Sequence, residues 1–157
     1  DTNSGIRLLD YFTLHCYPQE SGVGGNAVDT ATELLRNQST RQFWDTNYVD
    51  PSWINNIIMV IPRMKNWGAN YYPGTKTGIT EYNWGAESDI NGATAQADIF
   101  GIFGREGLDL ATRCTTPDAP LSSAFANTAS ATYRSGAPRS AATCGAPPAI
   151  SATNGTA

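Results

Sequence analysis

The amino-acid sequence predicts an α/β fold built on parallel strands. Leu8 to Tyr17 is a run of apolar, aromatic and β-branched residues that Pro18 ends, which is typical of a buried strand. Residues 77–112 show a strand pattern, a helical pattern and a second strand pattern in succession. Such a βαβ unit requires parallel strands. With the strand and helix signals before it, the run belongs either to a doubly wound sheet or to a (β/α) barrel.

The elements follow one another in a simple order. We predict a strand over 8–17, a loop over 21–26, a short helix over 29–36, a non-periodic segment over 39–50, a helix from 51 through 67 with a kink at 62, a strand over 77–83, a loop over 85–91, a helix over 93–103, a turn over 104–107 and a strand over 108–112. On the last helix, one apolar face is formed by Ala95, Ile99, Ile102 and Phe103.

The prediction of the second helix depends on its first residues. Asp50 suits an N-cap, and Pro51 suits the first helical position. Apolar residues then recur on one helical face, so Trp53 and Trp67 are expected in the core. Pro62 cannot sit in a regular helix interior and should kink or restart the helix.

Charge and motifs exclude several classes of protein. The chain has a net charge of −4 and a pI near 4.8, with no basic run, which disfavours nucleic acid as a partner. No stretch approaches 18 apolar residues and no basic-then-apolar leader is present, so neither a membrane partner nor a signal peptide is predicted. Neither GxGxxG nor GxxxxGK[ST] follows a strand, which disfavours nucleotide binding.

Cysteine spacing gives no metal site. Cys16, Cys114 and Cys144 are far apart, no CxxC pair occurs, and His15 cannot complete a zinc set with them. One disulfide remains open at this point. We expect no metal and no cofactor.

Composition divides the chain at Asp118. All fourteen acidic residues lie at or before that position, and more than half of residues 119–157 are Ala, Ser or Thr. Residues 119–157 are therefore expected to form a disordered, low-complexity tail. The segment is either a linker to a further module or out-of-frame sequence, and the composition does not choose between them.

Two strand ends carry the polar groups that could do chemistry. One end reads His15-Cys16-Tyr17-Pro18-Gln19, and the other reads Thr80-Glu81-Tyr82-Asn83-Trp84-Gly85. Functional residues of parallel barrels project from such carboxyl ends. A carboxylate placed there is costly unless it is hydrogen-bonded or used, so Glu81 is either half of a structural ion pair or a functional group. Trp44 and Trp84 are candidates either for sugar binding or for packing.

Several separated blocks resemble glycoside hydrolase family 44, a family of bacterial endo-acting β-1,4-glucanases and xyloglucanases. The blocks are LLDYFTLHCYPQ, STRQFWDTNYVDPSWI, IPRMKNW, TGITEYNWGAE and ADIFGIFGREGLDLAT, which together span about residues 5–118. The resemblance implies that residues 1–118 are the last few units of a (β/α)8 TIM barrel. It also implies hydrolysis with retention of configuration and a secreted bacterial protein.

The resemblance also assigns roles to residues. It implies that Glu81 is the nucleophile and that the acid/base carboxyl group lies outside this chain, on a missing N-terminal part of the same barrel. Glu87, the nearest glutamate, is expected on the solvated surface. The implied substrate-binding residues are His15, Tyr17, Asn83, Trp84 and Trp44. Cys16 stands where an aromatic residue is expected.

Two other hypotheses compete with an inactive piece of a β-glucan hydrolase. One is a non-catalytic carbohydrate-binding fragment that uses Trp44 and Trp84. The other is a structural α/β domain in which Glu81 pairs with Arg41 or Arg63.

Overall fold

A computed structural model of the chain describes residues 5–114 and the backbone of residues 141–143. Its strands are β1 (Tyr11–Cys16), β2 (Lys76–Tyr82), β3 (Leu110–Arg113) and β4 (Ala141–Thr143); its α-helices are α1 (Thr30–Ser39), α2 (Val60–Tyr71) and α3 (Ile90–Glu106); a 3-10 turn covers Thr40–Phe43. The strands form one sheet in the order β1-β2-β3-β4, and every neighbouring pair is parallel. The predicted parallel α/β architecture is confirmed.

The described helices cover one face of the sheet and leave the other open. On the covered face, Ile79 and Tyr82 of β2 are buried, and the Tyr82 ring meets Phe103 of α3 edge-on at 5.2 Å. On the other face, Thr13 and His15 of β1 are exposed. The sheet therefore has a packed side that supplies the core and a bare side that can present functional groups.

Helix α1 begins where the sequence predicts and continues to Ser39. Asp29 caps it, because one carboxylate oxygen accepts a 3.1 Å hydrogen bond from the backbone N–H of Thr32. The fully buried guanidinium of Arg36, on the same helix, donates to carbonyls of residues 22, 23, 25 and 27 and to the carbonyl of Trp84 at 2.8 Å. Arg36 thus ties the loop after β1 to the loop after β2.

The helix predicted from Pro51 is wrong up to residue 59. The Asp50 carboxylate accepts from the N–H of Ser52 at 2.8 Å, so it stabilises a tight turn. Asn55 and Met59 adopt positive φ values of 43° and 38°, which interrupt any helix. Helix α2 begins at Val60, and Pro62 is its third residue, where a missing N–H costs nothing. The predicted kink at Pro62 is therefore unnecessary.

The two tryptophans predicted for the core face the surface. Trp53 is 81% exposed and Trp67 is 44% exposed. Trp53 lies in the turn segment and so has no helical face to bury, whereas Trp67 packs edge-on against Phe12 of β1 at the border of the core.

Helix α3 completes the βαβ unit as predicted, and it extends three residues beyond the predicted 93–103 at each end. Its apolar residues Ala95, Ile99, Ile102 and Phe103 are all buried. The helix continues through Arg105 and Glu106, and Gly107 closes it with φ at 63°. That left-handed conformation is one that glycine adopts without strain.

Most of the predicted tail, residues 119–157, lies outside the described residues. The exception is β4, a three-residue strand paired with β3 within a segment for which no strand was predicted. Cys144 also lies outside the described residues, while Cys16 and Cys114 are free thiols. Among residues 5–114 and 141–143, none of the helices has the length and apolar character that crossing a bilayer requires.

Candidate active site

Glu81 stands near the carboxyl end of β2, on the bare face of the sheet. Its Oε2 accepts a 2.9 Å hydrogen bond from the hydroxyl of Tyr17 and lies 3.2 Å from Nδ1 of His15. His15 is its register partner on β1, and Tyr17 follows directly after that strand. The structure therefore brings together three of the residues selected from the sequence.

The three side chains differ in their access to solvent. The Glu81 side chain is 31% exposed and that of His15 is 55% exposed, so both can be reached from the bare face. Tyr17 is half-buried, and desolvation, followed by its contacts with Cys114 and Glu81, raises the pKa of its hydroxyl. Because a raised pKa favours the neutral phenol, Tyr17 stays a hydrogen-bond donor to the carboxylate over the working pH range of most enzymes.

Gln19 connects this site to an exposed aromatic ring. Its Nε2 donates to the backbone carbonyl of Tyr17 at 3.2 Å, and its Oε1 accepts from Nε1 of Trp53, also at 3.2 Å. The exposed indole of Trp53 is thus held by its N–H at the rim where β1 ends. A large flat apolar face fixed by one hydrogen bond is suited to stacking on a sugar ring.

The two tryptophans proposed from the sequence as sugar platforms are packed instead. Trp84 is 1% exposed, donates from Nε1 to Oγ of Ser39 at 2.8 Å, and lies 4.8 Å from the Phe43 ring. It faces the helices because it follows Tyr82 by two residues on the covered side. Trp44 packs against the core, and the guanidinium of Arg105 covers its ring at 4.1 Å. The ring of Trp84 is therefore closed to a ligand, and the partly buried ring of Trp44 is covered by Arg105.

Asn83 and Glu87 belong to a buried polar network beside the site. Asn83 Oδ1 accepts from the N–H of Gly85 at 2.9 Å and from Nη2 of Arg113 at 3.2 Å. The same Nη2 contacts both carboxylate oxygens of Glu87, at 2.6 and 2.7 Å, while Nε of Arg113 donates to Gln96. The prediction that Glu87 is solvated surface is wrong, because only 14% of its side chain is exposed.

The arginines suggested as structural partners of Glu81 are engaged elsewhere. Nη2 of Arg41 pairs with Asp45 at 2.6 Å, and Nη2 of Arg63 donates to the carbonyl of Ile57 at 2.8 Å. Within the described part of the chain, no group of three or more His, Cys, Asp or Glu side chains gathers where it could hold a metal ion.

Sequence reasoning missed Trp53, Gln19 and Arg113. Trp53 was assigned to the first part of the predicted helix, which does not form, although the turn signals Ser52 and Asn55 lie beside it in the sequence. Arg113 carried no local signal, because its partners Gln96, Asn83 and Glu87 are brought to it only by the fold.

The known proteins to which this chain is similar belong to one class of enzyme. The chain is 57% identical to CelM2, a bifunctional glucanase-xylanase from a metagenome library, with a TM-score of 0.77 over 80% of this chain. It is 34% identical to a Paenibacillus polymyxa xyloglucanase of glycoside hydrolase family 44, with a TM-score of 0.70 over 85% of this chain. It is also 38% identical, over 74% of its length, to endoglucanase A of Paenibacillus lautus. No protein-family profile matches the sequence.

A parallel sheet that presents a carboxylate on its bare face, together with these relatives, places the chain among the glycoside hydrolases. Within that class it belongs to glycoside hydrolase family 44. The chain spans 24% of the CelM2 structure, 27% of the xyloglucanase structure and 18% of endoglucanase A.

Proposed function

We propose that the chain is a segment of a retaining glycoside hydrolase that cleaves β-1,4-glucan or xyloglucan, with Glu81 as its nucleophile. The observation that supports this best is the 2.9 Å hydrogen bond from Tyr17 to Glu81 on the bare face of the sheet. A nucleophilic carboxylate must be ionised, fixed in direction and open to the anomeric carbon. The Tyr17 hydroxyl and the His15 imidazole orient one oxygen, while partial exposure leaves the carboxylate within reach of a sugar.

Retention requires two carboxyl groups about 5–5.5 Å apart, one to attack and one to protonate the leaving oxygen and later activate water. Glu87 does not fit the second role, since Arg113 holds both of its oxygens in a largely buried pair. A proton donor must present a carboxyl oxygen to the leaving group, and both oxygens of Glu87 are occupied by the guanidinium of Arg113. We therefore place the acid/base residue on a part of the barrel outside this sequence.

The bare face and the outer edge of β1, which pairs with no further strand among the described residues, fit the end of a (β/α)8 barrel. Beside that edge, an exposed apolar surface includes Leu8, Leu9 and Tyr71, and a pocket lined by Phe12 and Trp67 opens into it. An unpaired strand edge next to exposed apolar groups promotes aggregation unless it is covered. We propose that preceding β/α units of the same barrel cover both, so that residues 5–114 alone form an incomplete, inactive cleft.

Substrate binding is assigned to Trp53 in place of Trp44 and Trp84. Trp53 reaches Glu81 through a short chain of contacts, from its indole to Gln19 and from Gln19 to Tyr17. Because relatives are named glucanase-xylanase and xyloglucanase, a β-linked polysaccharide backbone is the substrate class. Such polymers are met outside the bacterial cell, where we place the whole protein.

A chimeric protein, called the graft from here on, tests this proposal. Residues 5–114 replace the equivalent segment of the 57% identical glucanase-xylanase, which supplies the rest of the barrel. We expect the graft to release reducing sugar from xyloglucan, β-glucan or xylan, and Glu81→Gln to lower kcat by about 1,000-fold or more. Glu33→Gln on α1 makes the same chemical change away from the site and should leave kcat unchanged.

Three outcomes would decide against parts of the proposal. Full activity of the Glu81→Gln graft would remove Glu81 from the role of nucleophile. Reducing-sugar release by the 157-residue chain alone, abolished by Glu81→Gln, would disprove the incomplete cleft. A folded graft that binds xyloglucan tightly without turnover would favour the carbohydrate-binding alternative, with Trp53 as its platform.

A further inference from the structure

The register between β1 and β2 changes just before the nucleophile. Leu14 pairs with Ile79, and the next residue of β1, His15, pairs with Glu81. Thr80 is therefore an extra residue in β2, opposite no residue of β1, which is a β-bulge. A bulge of this kind reverses which face the following side chains occupy.

Burial along β2 shows the reversal. Before the bulge, Thr77 and Ile79 are buried on the helix-covered face, and after it the buried residue is Tyr82. Under strict alternation Glu81 would share the face of Ile79, because the two are two residues apart. The carboxylate would then face the apolar core under the helices. The extra residue at Thr80 is what puts Glu81 beside His15 and Tyr17.

The bulge is held from both neighbouring strands. The Thr80 hydroxyl donates to the backbone carbonyl of Leu14 on β1 at 3.4 Å. From the other side, the Thr112 hydroxyl donates to the backbone carbonyl of Thr80. Regular pairing of β2 with β3 reaches Ile79 opposite Ala111, and the next backbone contact is the 3.1 Å hydrogen bond from the N–H of Cys114 to the carbonyl of Tyr82, so the Thr112 side chain bridges the interval at the bulge.

We propose that Thr112 is a positioning residue, whose hydroxyl holds the bulge at Thr80 and thereby directs the Glu81 carboxylate toward Tyr17 and His15. The inference rests on the proposed function, since it concerns the same nucleophile. Thr112 does not touch the reacting atoms. It acts by satisfying a partly buried carbonyl that the bulge removes from regular pairing, because leaving that carbonyl unsatisfied would favour a return to regular register.

The test uses three variants of the graft. Thr112→Val keeps the branched shape and strand preference and removes only the donor. Thr112→Ser restores the donor. Thr94→Val is the matched control, because the Thr94 hydroxyl also donates to a backbone carbonyl, that of Ile90, within α3 and away from the site.

We expect Thr112→Val to lower kcat by about 10- to 100-fold with KM changed less than about threefold, since a small misplacement of a reacting group costs that much. Thr112→Ser should recover most of the loss, and Thr94→Val should match the parent. Unchanged kcat in Thr112→Val would overturn the proposal, as would an equal loss in Thr94→Val.

Crystal structures of the same grafts separate this inference from the proposed function. In Thr112→Val, the Glu81 carboxylate should move beyond about 3.5 Å from the Tyr17 hydroxyl, the limit of a hydrogen bond. In Thr112→Ser the contact should persist. If the parent graft proves inactive, the proposed function fails, yet the structures still decide the inference: an unmoved Glu81 in Thr112→Val overturns it.

Discussion

Arg113 and Glu87 form an ion pair that joins the end of β3 to the loop after β2, with Nη2 of the arginine 2.6 and 2.7 Å from the two carboxylate oxygens. Only 6% of the Arg113 side chain and 14% of the Glu87 side chain are exposed. Because Nη2 also donates to Asn83, the pair anchors the chain two residues beyond Glu81. The pair therefore supports the site without entering the chemistry.

Removing one partner of this pair should be costly. In the graft, Arg113→Met leaves a buried carboxylate without its cation, and we expect a loss of about 3–5 kcal/mol. The double variant Arg113→Met/Glu87→Gln removes the uncompensated charge and should recover part of that loss. Thermal unfolding of the graft measures both. Equal melting temperatures for the single and double variants would contradict the expectation that the unpaired Glu87 carboxylate is costly.

Tyr17→Phe tests the hydrogen bond to the nucleophile. Loss of one hydrogen bond to a charged group is expected to lower kcat/KM by about 10- to 100-fold. Because the pKa of Tyr17 is raised by burial and by its neighbours, the phenol should remain neutral at a pH where exposed tyrosines ionise. Ultraviolet titration of the parent graft against Tyr17→Phe isolates this one ring, and a difference signal near the ordinary tyrosine pKa would contradict the prediction.

Two tryptophan variants should have opposite effects. Trp53→Ala removes an exposed ring and should weaken binding of long oligosaccharides, with the melting temperature nearly unchanged. Trp84→Ala empties a site in the core between Phe43 and Ser39 and should cost about 3–5 kcal/mol of stability. Calorimetric binding to cello-oligosaccharides and thermal unfolding separate the two effects. A loss of binding confined to a still-folded Trp84→Ala variant would restore the original assignment.

The ionisation of buried Glu20 should make the stability of the folded protein depend on pH. Burial, with a further contribution from the charge of Asp50, raises the pKa of Glu20. The folded protein therefore binds this proton more tightly than the unfolded chain, and stability falls as pH rises from the ordinary glutamate pKa through the raised one. Glu20→Gln removes the ionisation and should raise the melting temperature at pH 7 but not well below pH 4.

A matched control accompanies that measurement. Glu33→Gln removes a carboxylate from the first turn of α1, where a negative charge complements the helix dipole. It should give no gain at pH 7. A gain of equal size in both variants would indicate a change in net charge and not the release of a buried carboxylate.

The parallel strands could be predicted because their signals are local. Apolar runs and turn residues delimit β1, β2 and α3, and Glu81 follows at a recognisable strand end. The segment after Asp50 could not be predicted in the same way, because Asp-Pro signals fit a helix start and a tight turn equally well. In the structure, Asp50 donates its N–H to Asn56 and closes a turn.

The face on which Glu81 lies depends on the bulge at Thr80, and no period in the sequence reports it. Strict alternation of side chains between the two faces of a strand would have placed Glu81 on the core side. The partners of Arg113 and the burial of Trp84 likewise follow from which elements meet in space. Prediction from the sequence therefore located the strand end and the carboxylate proposed as nucleophile, while the choice of Trp53 as the proposed aromatic platform depended on tertiary contacts.

Arg36 donates hydrogen bonds to backbone carbonyls of two loops, and these bonds limit how far the loops can move. Opening the loop after β1 would remove several acceptors from the buried guanidinium at once, and opening the loop after β2 would remove the carbonyl of Trp84, so both movements are costly. Under the proposed function, the mouth of the cleft on this side is therefore set before a polysaccharide arrives. Little ordering of these loops then remains to be done when the sugar binds, which lowers the entropic cost of binding.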